Sequence, residues 1–89
     1  MARAEVLYYG DVQGVGFRFT ARSVAAGFAV AGYVRNRADG RVEVAVEGMR
    51  AEIEAFLGEL SSAMAHHISD VQVTWSESTG EFKGFSVRF

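Results

Sequence analysis

The residues with the most chemical potential stand together near the start of the chain, in Gly10-Asp11-Val12-Gln13-Gly14-Val15-Gly16-Phe17-Arg18. A run rich in β-formers, residues 3–10, precedes them. A helical pattern follows, with Phe17, Ala21, Val24 and Phe28 at i, i+4, i+7 and i+11. A glycine-bearing loop that leads from a strand into a helix can turn its backbone N–H groups inward. The start of the helix adds its own unpaired donors and the positive end of its dipole. Together these make an anion cradle. Glycine suits such a loop because it permits positive φ and close approach of a ligand. Arg18 adds a fixed charge and a planar fork of donors that matches a phosphate. Two better-known phosphate loops do not fit: no G-x-x-x-x-G-K-[ST] string occurs, and the third position after Gly16 is Phe19 rather than glycine.

The elements that must hold this loop are legible as a pattern. After the first strand and helix, with Gly27 as the expected helix C-cap residue, residues 29–37 read as a second strand. Ala38-Asp39-Gly40 is a turn signal. A third strand follows, in which Val42, Val44 and Val46 alternate with Arg41, Glu43, Ala45 and Glu47, the first set expected to face the core and the second the solvent. A second helix is expected from Met49 to Leu60, with Met49, Ile53, Phe56, Leu57 and Leu60 on its apolar face. Val71, Val73 and Trp75 mark a fourth strand, and Phe85, Val87 and Phe89 a short final one. The order is β-α-β-β-α-β plus a C-terminal strand. This predicts an α+β, ferredoxin-like (split β-α-β) sandwich, an antiparallel sheet with two helices on one face. That fold hosts many unrelated functions, so it does not decide this one.

Composition narrows the field. The chain has 89 residues, which suits a single domain over residues 1–89. It has no cysteine, which excludes disulfides, thiolate metal sites and a cysteine nucleophile. A net charge of −2 argues against a general nucleic-acid binder. Glu5 falls where a signal peptide would need its apolar region, and the longest weakly apolar run, residues 24–34, is far short of the ~20 residues of a membrane span. The expectation is a cytoplasmic protein, with no membrane and no nucleic acid among its partners. His66 and His67 are adjacent and diverge on any regular element, so no metal site is expected.

The string GDVQGVGFR resembles the signature of the acylphosphatase family, G-x-V-Q-G-V-x-F-R. The later GYVRNRADGRVEVAVEG resembles the family's second signature, G-x-V-x-N-x-x-D-G-x-V. Both occur in the family's order, and the expected element order agrees with the family's fold over essentially the whole chain. The resemblance implies hydrolysis of the carboxyl–phosphate bond of a small-molecule acyl phosphate, without metal or cofactor. It implies that Arg18 is the catalytic, phosphate-binding arginine and that Asn36 positions the attacking water. It implies that backbone amides of Val12, Gln13, Gly14, Val15, Gly16, Phe17 and Arg18 bind the phosphate. Inorganic phosphate is then product and competitive inhibitor, and the protein is expected to act as a monomer. Two departures stand out. Asp11 puts an anionic side chain beside the loop, and Ser61 to Ser69 (SSAMAHHIS) is unlike common family sequences there.

The resemblance is chemically coherent. The carboxylate leaving group of a mixed anhydride is already a stable anion near neutral pH, so no general acid is needed. Positioning and electrostatics carry most of phosphoryl transfer. Three rival readings stand beside it. A non-catalytic anion-binding module would keep the cradle but has no need of Asn36. A nucleic-acid module on the same fold is opposed by Glu43 and Glu47. A fragment of a larger carbamoyl-transferring maturation enzyme is less expected than a free-standing enzyme. Gln13 is read as a structural amide that ties the loop.

Overall fold

The computed structural model describes residues 1–89. Its elements follow the expected order: β1 (Ala2–Gly10), α1 (Phe17–Ala25), β2 (Val30–Asn36), β3 (Val42–Gly48), α2 (Arg50–Ala63), β4 (Ile68–Glu77) and β5 (Phe85–Arg88). The five strands form one sheet in the order β4-β1-β3-β2-β5. The β1–β3, β1–β4 and β2–β3 pairs are antiparallel; β5 lies parallel to β2, so the sheet is antiparallel except at this edge. Both helices pack on one face, α2 against β3 and β1, and α1 against β2 and β5.

The alternation of β3 explains the core. Val42, Val44 and Val46 are fully buried and meet Ala4, Val6 and Tyr8 of β1 and Val34 of β2 on the helix side. From the helices come Phe17, Ala21 and Ala25, and Ile53, Phe56 and Leu60. Aromatic rings bridge the layers: Tyr8 and Phe17 lie 4.8 Å apart between centroids, and Phe56 and Phe85 lie 5.4 Å apart.

Several expectations are adjusted. Ala45 and Glu47 were expected to face solvent, yet both are buried. For Glu47 the cause is the segment between β4 and β5, which folds over the helix-free face of the sheet. Glu47 accepts hydrogen bonds there from Ser78 Oγ at 2.9 Å, from the Thr79 amide and hydroxyl at 2.9 and 2.8 Å, from the Gly80 amide at 3.0 Å, and from Arg3 at 2.9 Å. Burial alone would raise its pKa, but these donors outweigh that cost and hold it at about 2. Met49 precedes α2 as its N-cap residue and is exposed. Val71 and Val73 are in a strand as expected but stay exposed, because β4 is the edge strand and the helices pack chiefly over β1, β2, β3 and β5; from α2, the Arg50 guanidinium reaches Trp75, 4.1 Å from its ring centre. Helix α1 ends on Ala26 with right-handed angles, and Gly27 has no positive φ. Amides of Ala26, Gly27 and Phe28 bond back to Arg22, Val24 and Ala25, which closes the helix without a glycine cap. The SSAMAHHIS stretch is divided among the last turn of α2, a turn, and the first residues of β4.

Candidate active site

The loop 11–16 joins β1 to α1 at one end of the sheet. Gly14 and Gly16 take left-handed angles, φ 76° and 81°, and a Cβ built on either would meet nothing within 4 Å. The backbone therefore curls without presenting a side chain to the space it encloses. Gly16 is the N-cap of α1, so no side chain caps that helix, and its first turn carries no acid. Within the protein, no backbone N–H from Val12 to Phe19 donates a hydrogen bond; the first to do so is Thr20, to the Gly16 carbonyl at 3.0 Å. Unpaired donors on a curled loop and an uncapped helix start make a strongly anion-receptive surface.

A cavity of about 170 Å³ opens on this surface, lined by Val12, Gly14, Gly16, Phe17, Arg18, Phe19 and Asn36. Arg18 and Asn36, 18 residues apart by their numbers in the chain, thus share one cleft. Val12 and Phe17 are buried and form its floor. Asp11 is exposed and does not line the cavity, so its charge faces solvent. His66 and His67 lie after α2, and neither lines the cavity; no group of three or more His, Asp or Glu side chains is placed so that it could hold a metal ion.

Three positioning devices surround the cleft. The first is Gln13, whose amide Nε2 donates to the carbonyls of Arg37 at 2.7 Å and Arg41 at 2.9 Å. This ties the loop to the β2–β3 turn that begins directly after Asn36. The second is that turn itself. The Arg37 amide donates to the Arg41 carbonyl at 2.8 Å, Asp39 accepts from the Arg41 amide and side chain and from Arg37, and Glu43 accepts from Tyr33, Arg35 and Arg37. Burial alone would raise the Glu43 pKa, but these donors bring it down to about 2. The guanidinium of Arg41 likewise holds the Asp39 carboxyl far below the usual range. The third device is the end of the chain. Arg18 donates to the Arg88 carbonyl at 3.4 Å, and its guanidinium stands 4.6 Å from the centre of the Phe89 ring. The parallel direction of β5 brings Arg88 opposite Arg35, beside Asn36 and the loop.

The Gln13 tie was expected, though its partners were not. The contact between Arg18 and the chain end was not foreseen, because nothing in the alternation of residues 85–89 announces a parallel pairing with β2. Phe19 was also missed as a cavity residue. A phenylalanine off the buried stripe of α1 was the available signal.

Fold and cleft define an α+β sandwich that gathers unpaired backbone amides, an arginine and an asparagine around one cleft at one end of its sheet. Among known proteins, a sequence model of the acylphosphatase family matches residues 4–87. The chain belongs to the acylphosphatase family. It is 46% identical over 89 residues to an acylphosphatase of Anaeromyxobacter sp. (strain Fw109-5), covering 99% of this chain and 96% of that protein. It is 44% identical to an acylphosphatase of Roseiflexus sp. (strain RS-1), over 98% of this chain and 95% of that one. Among solved structures, that of acylphosphatase from Bacillus subtilis superposes with a TM-score of 0.89 at 32% identity, covering all of both chains.

Proposed function

We propose that this chain is an acylphosphatase, acting through one domain that spans residues 1–89. It hydrolyses the carboxyl–phosphate bond of a small-molecule acyl phosphate to a carboxylate and inorganic phosphate. The observation that carries the reading is the cleft itself, in which Arg18 and Asn36 meet a loop of unpaired amides.

The reaction follows from these groups. Amides of residues 12–18 and the Arg18 fork bind the phosphoryl oxygens and stabilise the negative charge they carry in the transition state. The Asn36 side-chain oxygen accepts a hydrogen bond from water and aims it in line with the scissile bond. The water oxygen bonds to phosphorus as the bond from phosphorus to the carboxylate oxygen breaks. The electron pair leaves with the carboxylate, and both water protons remain with the phosphate. No proton has to reach the leaving group, so the step needs no general acid, metal or cofactor. Inorganic phosphate occupies the same cradle and inhibits competitively. The enzyme works as a monomer in the cytoplasm, with neither membrane nor nucleic acid as partner. The lack of cysteine suits a reducing compartment, and no helix is long and apolar enough to cross a membrane.

The test is hydrolysis of benzoyl phosphate in excess EDTA. Loss of a transition-state arginine can cost ~10³–10⁵ in rate, and loss of a positioned donor ~10²–10³. Arg18→Ala is expected to fall in the first range, with Arg18→Lys restoring only part because an ammonium lacks the planar fork. Asn36→Ala is expected to lower kcat with little change in KM. A folded wild type that binds phosphate without turnover would leave an anion-binding module instead.

A further inference from the structure

We propose that Phe19 forms the acyl-binding half of the cleft, and that the enzyme favours aromatic acyl phosphates over those with small acyl groups. The proposal rests on the acylphosphatase reading above and extends it to the substrate class.

The cleft lining is of two chemical kinds. Gly14, Gly16, Arg18 and Asn36 contribute backbone and polar groups, and Val12, Phe17 and Phe19 supply apolar surface. Val12 and Phe17 are 0% and 2% exposed, so their surface is already committed to the core. Phe19 is 54% exposed. It is the one apolar side chain of the cleft with substantial surface still in water.

Its place on α1 explains why. The helix buries Phe17, Ala21 and Ala25 along one stripe. Phe19 is two positions from Phe17, roughly 200° around the helix axis, and cannot join that stripe. Such positions on a surface helix are ordinarily polar. Here the ring sits one residue beyond Arg18 and lines the same cavity. The Arg22 guanidinium lies 5.6 Å from its centre.

With the phosphoryl group in the amide cradle, the carboxyl carbon lies one oxygen further out. The substituent on that carbon is then the part of the substrate free to reach the apolar side of the cleft. An aryl substituent can pack its ring on Phe19 in an offset or edge-to-face geometry. A methyl or amino substituent covers far less of the ring, and the gain on burial scales with the area covered.

The experiment compares benzoyl phosphate with acetyl phosphate on wild type, Phe19→Ala and Phe19→Tyr. In Phe19→Ala the ratio of kcat/KM values, benzoyl over acetyl, is expected to fall about three- to tenfold, the worth of one aromatic contact, mostly through the KM for benzoyl phosphate. Phe19→Tyr keeps the ring and is expected to keep the wild-type ratio. A ratio unmoved by Phe19→Ala overturns the proposal, as does an equal loss on both substrates. Because Phe19 is outside the core, its truncation should leave thermal unfolding near wild type, which separates a binding effect from a folding one. A wild type active on both substrates, with a ratio indifferent to residue 19, removes this proposal alone. A wild type active on neither removes the acylphosphatase reading and this proposal with it.

Discussion

Replacing Gln13 with leucine tests the link between the anion loop and the turn that carries Asn36. The substitution keeps approximate volume and removes two donations, to the Arg37 carbonyl at 2.7 Å and the Arg41 carbonyl at 2.9 Å. Neither carbonyl is orphaned. Arg37 still accepts from the Gly40 amide at 3.2 Å, and Arg41 from the Arg37 amide at 2.8 Å. The large penalty for a buried unpaired group therefore does not arise. The loss is that of two ordinary hydrogen bonds at about 0.5–1.5 kcal/mol each, so about 1–3 kcal/mol in all. For a domain of this size that lowers Tm by roughly 5–20 °C. The catalytic consequence is separate. Arg37 directly follows Asn36, so removing the Gln13 donation to its carbonyl loosens the backbone next to the side chain proposed to position the water. A misplacement of about 1 Å can cost ~10² in rate. Steady-state kinetics on benzoyl phosphate, run well below the Tm of the variant, should show kcat down about 10- to 100-fold and KM changed much less. A variant with wild-type kcat and reduced Tm would refute the positioning argument and leave Gln13 as a structural tie. A variant with wild-type Tm would refute the hydrogen-bond accounting itself.

Other consequences can be checked with the same preparations. Gly16→Ala should destabilise by about 1–2 kcal/mol, measured by urea unfolding, since its φ of 81° lies in the left-handed region and no atom waits to clash with the new Cβ. Phe56→Ala empties the centre of the core and should cost about 3–5 kcal/mol by the same assay. Glu47 has a folded pKa depressed from 4.5 to about 2, so its ionisation contributes stability above pH 4.5 that is lost as pH falls toward 2. The stability gap between wild type and Glu47→Gln should therefore narrow over that window, and a gap independent of pH would contradict the assignment. Inorganic phosphate should raise the Tm of wild type in a concentration-dependent way and do so far less for Arg18→Ala, as expected of a ligand bound only by the folded state.

Local chemistry is what the amino-acid order determined by itself. The left-handed glycines, the uncapped start of α1 and the fork of Arg18 lie within nine consecutive residues, and near neighbours cannot be moved far apart by any fold. The strict alternation of Val42, Val44 and Val46 was enough to assign the core side of β3. The stripe of Ile53, Phe56 and Leu60 did the same for α2. Two motifs in the right order then sufficed to assign the family. Tertiary structure decided whatever depends on pairing between distant segments. The period of a strand shows which face a residue takes but not what will cover that face, so Glu47 reads as solvated until the 78–81 segment folds over it. The same limit applies to Val71 and Val73, which mark a strand but stay exposed, since position at the sheet edge is a property of the whole sheet. Most of all, the direction in which β5 docks cannot be read from four residues. Its parallel pairing with β2 carries Arg88 and Phe89 to Arg18. An antiparallel strand on the same edge would have carried them to the opposite end of the sheet.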